Sequence, residues 1–420
     1  MIAGAPTQKS ERIVSLDVLR GIAILGILIM NIQSFAMISS AYMNPTAFGD
    51  FTGWNRIIWT ASHIIADQKF LTIFSMLFGA GIVLMAARAE QKGVSPARLH
   101  YRRTLWLIVI GLIHAYGLWY GDILVSYGLC ALLVFLFRKL NPWLLLILGI
   151  LAISLASLLF IFSGWSMQFW PEESIEQTMT SWHPDAGEIE KEVTAYRGSW
   201  LDQMPHRAFM SFYFQVPAFL FWTAWRAGGC MLFGMALMKW GFLSATRSTR
   251  LYLMVMIAAF STGFPLILTG LAKNSAAGWS LQYAMFFGSQ YNYWGSLFVA
   301  VGYISLIMLI CRWFVHSRIL KLLAGVGRTA LSNYLFQTVI CTTIFYGYGL
   351  GLYGHVDRVG QIGIMLLVWI LEIILTTVWL KRYRFGPVEW LWRSLTYGKR
   401  QPLRRKPLIP RSRTGITESV

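Results

Sequence analysis

Apolar residues along this chain collect into ten runs, each about long enough to cross a bilayer as a helix. They cover roughly residues 18–38, 70–89, 104–120, 122–138, 142–163, 212–238, 251–272, 293–314, 329–349 and 361–380. A membrane helix needs about 20 mostly apolar residues, because each rises about 1.5 Å through a hydrocarbon core about 30 Å thick. The pattern predicts an all-α, polytopic integral membrane protein with about ten transmembrane helices. The third and fourth runs are short and only Gly121 separates them, which reads as a tight helical hairpin. Two further segments carry an apolar stripe without being apolar throughout. In residues 54–67, Trp54, Ile57, Ile58, Ala61, Ile64 and Ile65 fall at helical spacing, as expected of a helix lying in the membrane interface. In residues 387–397, Val388, Leu391, Trp392 and Leu395 share a face, with Pro387 suited to a first helical turn and Gly398 to a terminus.

Composition supports the bilayer as solvent. Residues AVILMFWYC make up 56% of the 420 positions and charged residues 13%, against about 25% charged in soluble chains. Nineteen Trp suit a protein with many membrane–water boundaries. The net charge of +18 does not imply nucleic acid, because the basic residues sit in short blocks between apolar runs. The four cysteines fall inside those runs, which gives neither a disulfide framework nor a Cys/His metal site. The first run follows Asp17 and Arg20 without a clear small-residue cleavage site, so it is expected to stay as the first helix rather than leave as a signal peptide.

Charge then sets orientation. With the N-terminus in the cytoplasm, 28 of the 36 Lys and Arg fall on the inner side and alternate loops are nearly bare, as the positive-inside rule requires. The C-terminus is then cytoplasmic as well. This predicts a transmembrane domain over residues 1–380, with an acidic extracytoplasmic segment at 164–207 that forms one or two capping helices. A cytoplasmic interfacial helix and arginine-rich tail follow over 381–420, the tail anchored to anionic lipid.

Ionisable residues at depth carry the chemistry, since each costs several kcal/mol, roughly, unless paired or hydrated. Asn31 and His114 each lie eleven residues beyond a cytoplasmic-boundary arginine, Arg20 and Arg103, about 16 Å deeper at helical rise. Asp122 comes two turns after His114. His63, Asp67 and Lys69 precede the second run at its outer end, and Arg226 lies thirteen residues before Lys239. These groups are expected to converge on an outward-opening pocket able to support general-base or charge-stabilising chemistry. The plainer readings are interhelical hydrogen bonding for His114 and His63, an Asp67–Lys69 pair, and Asp122 as a helix cap. Lower in the membrane, a polar cluster of Ser332, Asn333, Tyr334 and Gln337 follows Arg328 on the ninth run, and Glu372, nine residues before Lys381, is placed to meet Gln337.

The chain resembles the YeiB-like family, a bacterial membrane family named for its lack of known function. The resemblance rests on LDVLRGIAILGILIMNIQSF (16–35), KFLTIFSMLFGAGI (69–82), RRTLWLIVIGLIHAYGLWYGDILVSYG (102–128), WRAGGCMLFGMALMKWG (225–241), GRTALSNYLFQTVICTTIFYGYGLGLYG (327–354) and GPVEWLWRSLTYG (386–398). The opening is also similar to a wider superfamily of transmembrane acyltransferases, whose members are thought to move an acyl group from cytoplasmic acyl-CoA to an acceptor across the membrane. Its O-acyltransferases carry Arg, ten residues, then a catalytic His on the first helix. Here Arg20 matches the Arg and Asn31 stands at the His position.

The resemblance implies a bacterial inner-membrane acyltransferase with acyl-CoA as co-substrate. Arg20, Arg102 and Arg103 would hold its phosphates, and the acceptor would bind at the outer side. His114 would act as base, Asp122 would orient it and Arg226 would stabilise oxyanion charge. For Arg102 and Arg103 membrane anchoring is the plainer expectation. A transporter or flippase using His114, Asp122, Arg226 and Glu372 is the alternative, and a non-catalytic relative is a third reading, motivated by Asn31. Membrane lipid is the expected partner, no nucleic acid is expected, and a homo-oligomer is compatible with the chain.

Overall fold

The computed structural model describes residues 13–314 and 316–405. Both termini, and with them Lys9, Arg12 and the tail from Lys406, lie outside the described residues. Sixteen α-helices are present among the described residues. The first six are α1 (Val14–Ala36), α2 (Gly53–Ile65), α3 (Lys69–Gln91), α4 (Pro96–Gly117), α5 (Leu124–Val134) and α6 (Pro142–Ser166). Then come α7 (Glu172–Trp182), α8 (Ala186–Arg197), α9 (Met204–Gln215), α10 (Ala224–Lys239), α11 (Thr249–Ala276) and α12 (Ser289–Trp313). The chain closes with α13 (Arg318–Arg328), α14 (Ala330–Phe345), α15 (Arg358–Arg382) and α16 (Pro387–Tyr397).

Among the described residues, six helical stretches are long and apolar enough to cross a membrane: α1, α2 with α3, α6, α11, α12 and α15. The other predicted crossings fall on α4, α5, α10 and α14, which are helical but shorter or more polar. The tight turn expected at Gly121 is a six-residue link, 118–123, in which Asp122 and Tyr334 make the contacts described below.

The centre of the bundle is α1, buried on most sides against α3, α12, α13, α14 and α15. Helices that meet without water between them gain from close backbone approach, and glycine permits it. A Cβ at Gly21 would lie 2.0 Å from the Leu323 carbonyl oxygen, and one at Gly327 would lie 1.8 Å from that of Asp17, which locks α1 to α13. The α3–α10 crossing uses the same device reciprocally. There, Cβ atoms at Gly79 and Gly234 would meet the Met231 and Met76 carbonyl oxygens at 1.9 and 1.7 Å. By contrast α6, α11 and α15 turn rows of leucine and isoleucine outward, among them Leu151, Ile257 and Ile370. That is the surface a hydrocarbon solvent selects.

Helix α2 buries Asn55, Trp59 and Ser62 against the bundle and leaves Trp54, Ile57 and Ile65 exposed. The acidic segment forms α7 and α8. Glu192 on α8 accepts hydrogen bonds from the Ser39 N–H (2.8 Å) and the Tyr353 hydroxyl (3.0 Å), so α8 is pinned across the end of the bundle opposite the Arg20 end of α1.

Candidate active site

At the basic end, the start of α1, the end of α3, the start of α4, the α13–α14 junction and α16 enclose a cavity of about 310 Å³. Its mouth carries Arg20, Arg88, Lys92, Arg103, Arg328 and Arg393, with Asp17 and Glu389 as the acidic groups. Farther in the walls become apolar and aromatic, through Phe74, Leu77, Phe78 and Leu107. Ile123, Leu124, Tyr127 and Tyr334 also line it. A concave apolar sleeve with a few charged groups at its entrance is the usual build of a small-molecule site.

Helix α16 forms one wall and is held in two ways. Its Trp392 indole N–H donates to the Arg103 carbonyl (2.8 Å), while the Arg103 guanidinium lies over the same ring, 4.3 Å from its centroid. Glu389 accepts the Leu331 and Ser332 backbone N–H groups (2.7 and 3.1 Å) and the Ser332 hydroxyl. A carboxylate thereby satisfies the otherwise orphaned donors at the start of α14. Burial pushes the Glu389 carboxyl above its ordinary range, and the hydrogen bonds it accepts pull part of the way back. Arg20 reaches Asp17 at 3.1 Å. Arg102 does not line the cavity. Its guanidinium packs where α16 ends, so close that a Cβ at Gly398 (φ +64°) would lie 2.8 Å from it.

His114 lies behind the tyrosine wall of this cavity, 2% exposed. Its Nδ1 lies 2.7 Å from Asp122 Oδ2 and its Nε2 lies 3.0 Å from Thr338 Oγ1. A carboxylate can only accept, so Nδ1 donates; in a neutral imidazole Nε2 then accepts the Thr338 proton, in competition with the Tyr334 carbonyl 3.4 Å from the same hydroxyl. Asp122 Oδ1 also accepts the Val125 N–H at 2.8 Å. The carboxylate is thus both partner of His114 and cap of α5. The Tyr334 ring sits 5.1 Å from the imidazole. Its hydroxyl donates to the Gly121 carbonyl and accepts the Ile123 N–H, both at 3.3 Å. Because Tyr334 also lines the cavity, one side chain separates the sleeve from the imidazole.

The other polar residues do not join this group, and the expected single outward pocket divides. His63, Asp67 and Lys69 form a second network with Asn292. Asp67 accepts from His63 Nδ1 (3.0 Å), Asn292 Nδ2 (2.7 Å) and Tyr42 (3.2 Å). Lys69 donates to Asn292 Oδ1 and to the His63 carbonyl, both at 2.7 Å. The expected direct Asp67–Lys69 pair is therefore replaced by an amide bridge, because Asn292 offers a donor to one partner and an acceptor to the other. Arg226 bonds to the Tyr293 carbonyl (2.9 Å), Ser296 (2.7 Å) and Thr72 (3.2 Å), with its guanidinium 4.3 Å from the Tyr293 ring. Its partners are neutral oxygens and an aromatic face on α3 and α12, not the His114 group.

Gln337 does meet Glu372, at 2.9 Å, and also donates to the Ile24 carbonyl. Glu372 Oε1 is buried without a protein hydrogen bond. Asn333 accepts from Thr376 at 3.1 Å and donates to Thr329 and to the Val326 carbonyl. Asn31 is half-buried on α1.

A family described as "Protein of unknown function (DUF418)" matches residues 237–399. Across the longer span, the chain is 33% identical over 395 residues to "Uncharacterized protein YeiB" of Escherichia coli (strain K12), covering 92% of this chain and 96% of that protein. The chain belongs to the YeiB-like family. The YeiB-like chain is also 32% identical over 422 residues to "Uncharacterized protein YxaH" of Bacillus subtilis (strain 168), covering 96% and 99%. The matched span 237–399 supplies Arg328, Tyr334, Thr338, Glu389 and Arg393, so one side of the YeiB-like cavity and one partner of His114 come from it. Tyr334, which stands between cavity and imidazole, was placed in the sequence only as part of a polar cluster. Thr338, Asn292, Arg393 and Glu389 were not singled out at all. Only the amphipathic face of α16 and the proline in its first turn point to its contribution.

Proposed function

We propose that this YeiB-like protein is a membrane-embedded acyltransferase that takes an acyl group from acyl-CoA at the basic end and delivers it toward the opposite side. Ten helices cross a bacterial inner membrane in this reading, with both termini and the basic mouth in the cytoplasm. The observation that carries it is the cavity itself, a ring of arginine and lysine leading into an apolar sleeve that stops one side chain short of the His114–Asp122 pair. Phosphates suit the mouth through charge-assisted hydrogen bonds from Arg20, Arg103 and their neighbours. The pantetheine arm and a short acyl chain suit the sleeve.

His114 serves as general base, held in one tautomer by Asp122. The acceptor, a hydroxyl or amine, gives its proton to Nε2, its oxygen or nitrogen bonds to the acyl carbon, and the carbon–sulfur bond breaks. The departing thiolate takes up the proton. For Nε2 to reach an acceptor, Thr338 must release it and the Tyr334 ring must turn aside. Arg226 supports the frame by joining α10 to α3 and α12.

The test is binding and turnover of radiolabelled acetyl-CoA and longer acyl-CoAs by the full chain in nanodiscs. Binding is expected to weaken by about tenfold, or roughly 1.4 kcal/mol, in Arg103→Ala and to fall with added salt. His114→Ala is expected to keep binding and lose turnover. Absence of binding, acyl-enzyme and hydrolysis across all chain lengths refutes the proposal. Transport is the second reading, favoured by Glu372, a buried carboxyl with one unpartnered oxygen on α15. Proton-driven flux in proteoliposomes that disappears in Glu372→Gln would select it.

A further inference from the structure

Four buried side chains at the crossing of α1, α2 and α15 line one small cavity, and each has one buried polar atom without a hydrogen-bond partner in the protein. They are Gln33 Oε1 from α1, Trp59 Nε1 from α2, and Arg358 Nε and Gln361 Oε1 from α15. Each of the four residues is 4% exposed or less. The cavity measures about 10 Å³, and Ile29, Ile32, Ile58, Ile362 and the hydroxyl-bearing Ser62, which can either donate or accept, complete its wall.

Their other polar atoms are already committed. Arg358 spends its two terminal nitrogens on the Asp50 and Pro45 carbonyls, both at 2.9 Å, and Gln361 Nε2 donates to the Val356 carbonyl at 3.0 Å. Those bonds orient the Arg358 Nε–H and the Gln361 carbonyl. The set is therefore two donors and two acceptors around a space for one small molecule.

We propose that this is a single-water site. Water matches the set group for group, accepting from Trp59 and Arg358 and donating to Gln33 and Gln361. An anion would satisfy the donors but oppose the two amide oxygens, and a cation would do the reverse. The volume is about that of one water-sized probe. The bound water completes the contact of α2 with α1 and α15, and so steadies the helix that carries His63. This site is separate from the basic cavity and does not depend on acyl transfer.

Hydroxyl-radical footprinting of the full chain in nanodiscs, read by mass spectrometry, tests it, since bound water is the local source of radicals. Trp182 is the control, because it is also buried, though more exposed than Trp59 (7% against 2%), and its indole N–H is already bonded to the Trp279 carbonyl at 2.8 Å, so exposure alone favours labelling of the control. Trp59 is expected to be modified several-fold faster than Trp182, and that excess is expected to vanish in the double variant Gln33→Leu/Gln361→Leu. Equal labelling of the two tryptophans, or labelling of Trp59 that survives the double variant, overturns the proposal. If the double variant does not fold, a high-resolution cryo-EM map of the natural chain decides. Density within hydrogen-bonding distance of all four atoms supports the site, and an empty site overturns it.

Discussion

Replacing Asp122 by asparagine separates the two tasks of one carboxylate. Oδ1 caps α5 at the Val125 N–H and Oδ2 takes the His114 Nδ1 proton. Asparagine caps a helix about as well as aspartate, so the first task survives. The second changes sign, because with the amide oxygen kept on Val125 the amide nitrogen faces Nδ1 and can only donate. His114 must then carry its proton on Nε2, and Thr338, which had donated there, must turn and accept. A hydrogen bond to a charged group contributes about 1.5–3 kcal/mol, so Asp122→Asn is expected to destabilise the fold by about 2 kcal/mol. Asp122→Ala loses the cap as well, for a total of about 3 kcal/mol. If His114 is the base, blocking Nε2 lowers turnover by roughly 10²–10⁴. Thermal denaturation in nanodiscs reads the stabilities, ¹⁵N NMR of labelled histidine reads the tautomer, and labelled acyl-CoA reads the rate. An unchanged His114 spectrum in Asp122→Asn refutes the reasoning. So does an asparagine variant as unstable as the alanine one, since the cap would then contribute nothing.

Three further expectations follow from the packing and polar networks. Gly234→Val should abolish folded protein or cost at least about 3 kcal/mol, because its Cβ would fall on the Met76 carbonyl where α3 and α10 touch; normal yield and Tm would contradict that geometry. Arg226→Met should cost about 3 kcal/mol by removing three charge-assisted hydrogen bonds, to Thr72, Ser296 and the Tyr293 carbonyl, of which only the Ser296–Tyr293 carbonyl bond (3.1 Å) remains to join the acceptors, and Arg226→Lys should recover only part, since an ammonium lacks the planar fork; full recovery by lysine, read by Tm, would contradict it. Glu389 gives a pH dependence with a definite sign. Its folded carboxyl is raised above the ordinary value of 4.5, so across that window the folded form holds a proton the unfolded form has released. Stability should then fall as pH rises from about 4.5 through the raised value. Glu389→Gln should flatten that slope in a Tm-against-pH series, and an unchanged slope would place its origin elsewhere.

The all-helical build, the apolar stretches and the amphipathic nature of α2 and α16 were written in the sequence, because period and run length are local properties of a chain. The Gln337–Glu372 contact was legible for a related reason. Helical rise converts residue number into depth, and two polar groups at one depth in hydrocarbon seek each other. Depth alone, however, does not say which faces meet. His114, Asp122 and Arg226 were matched by depth, yet only the first two share a site, because α10 turns Arg226 toward α3 and α12. Asn292, Thr338 and Glu389 lie far along the chain from the groups they serve, and nothing in their own neighbourhood marks them. The cavity at the basic end is likewise a tertiary product. It exists because glycines at Gly21 and Gly327 let α1 and α13 close to backbone contact while α16 folds back against α4. Periodicity determined which segments are helices and how deep each side chain lies, whereas interhelical packing decided which of those side chains touch.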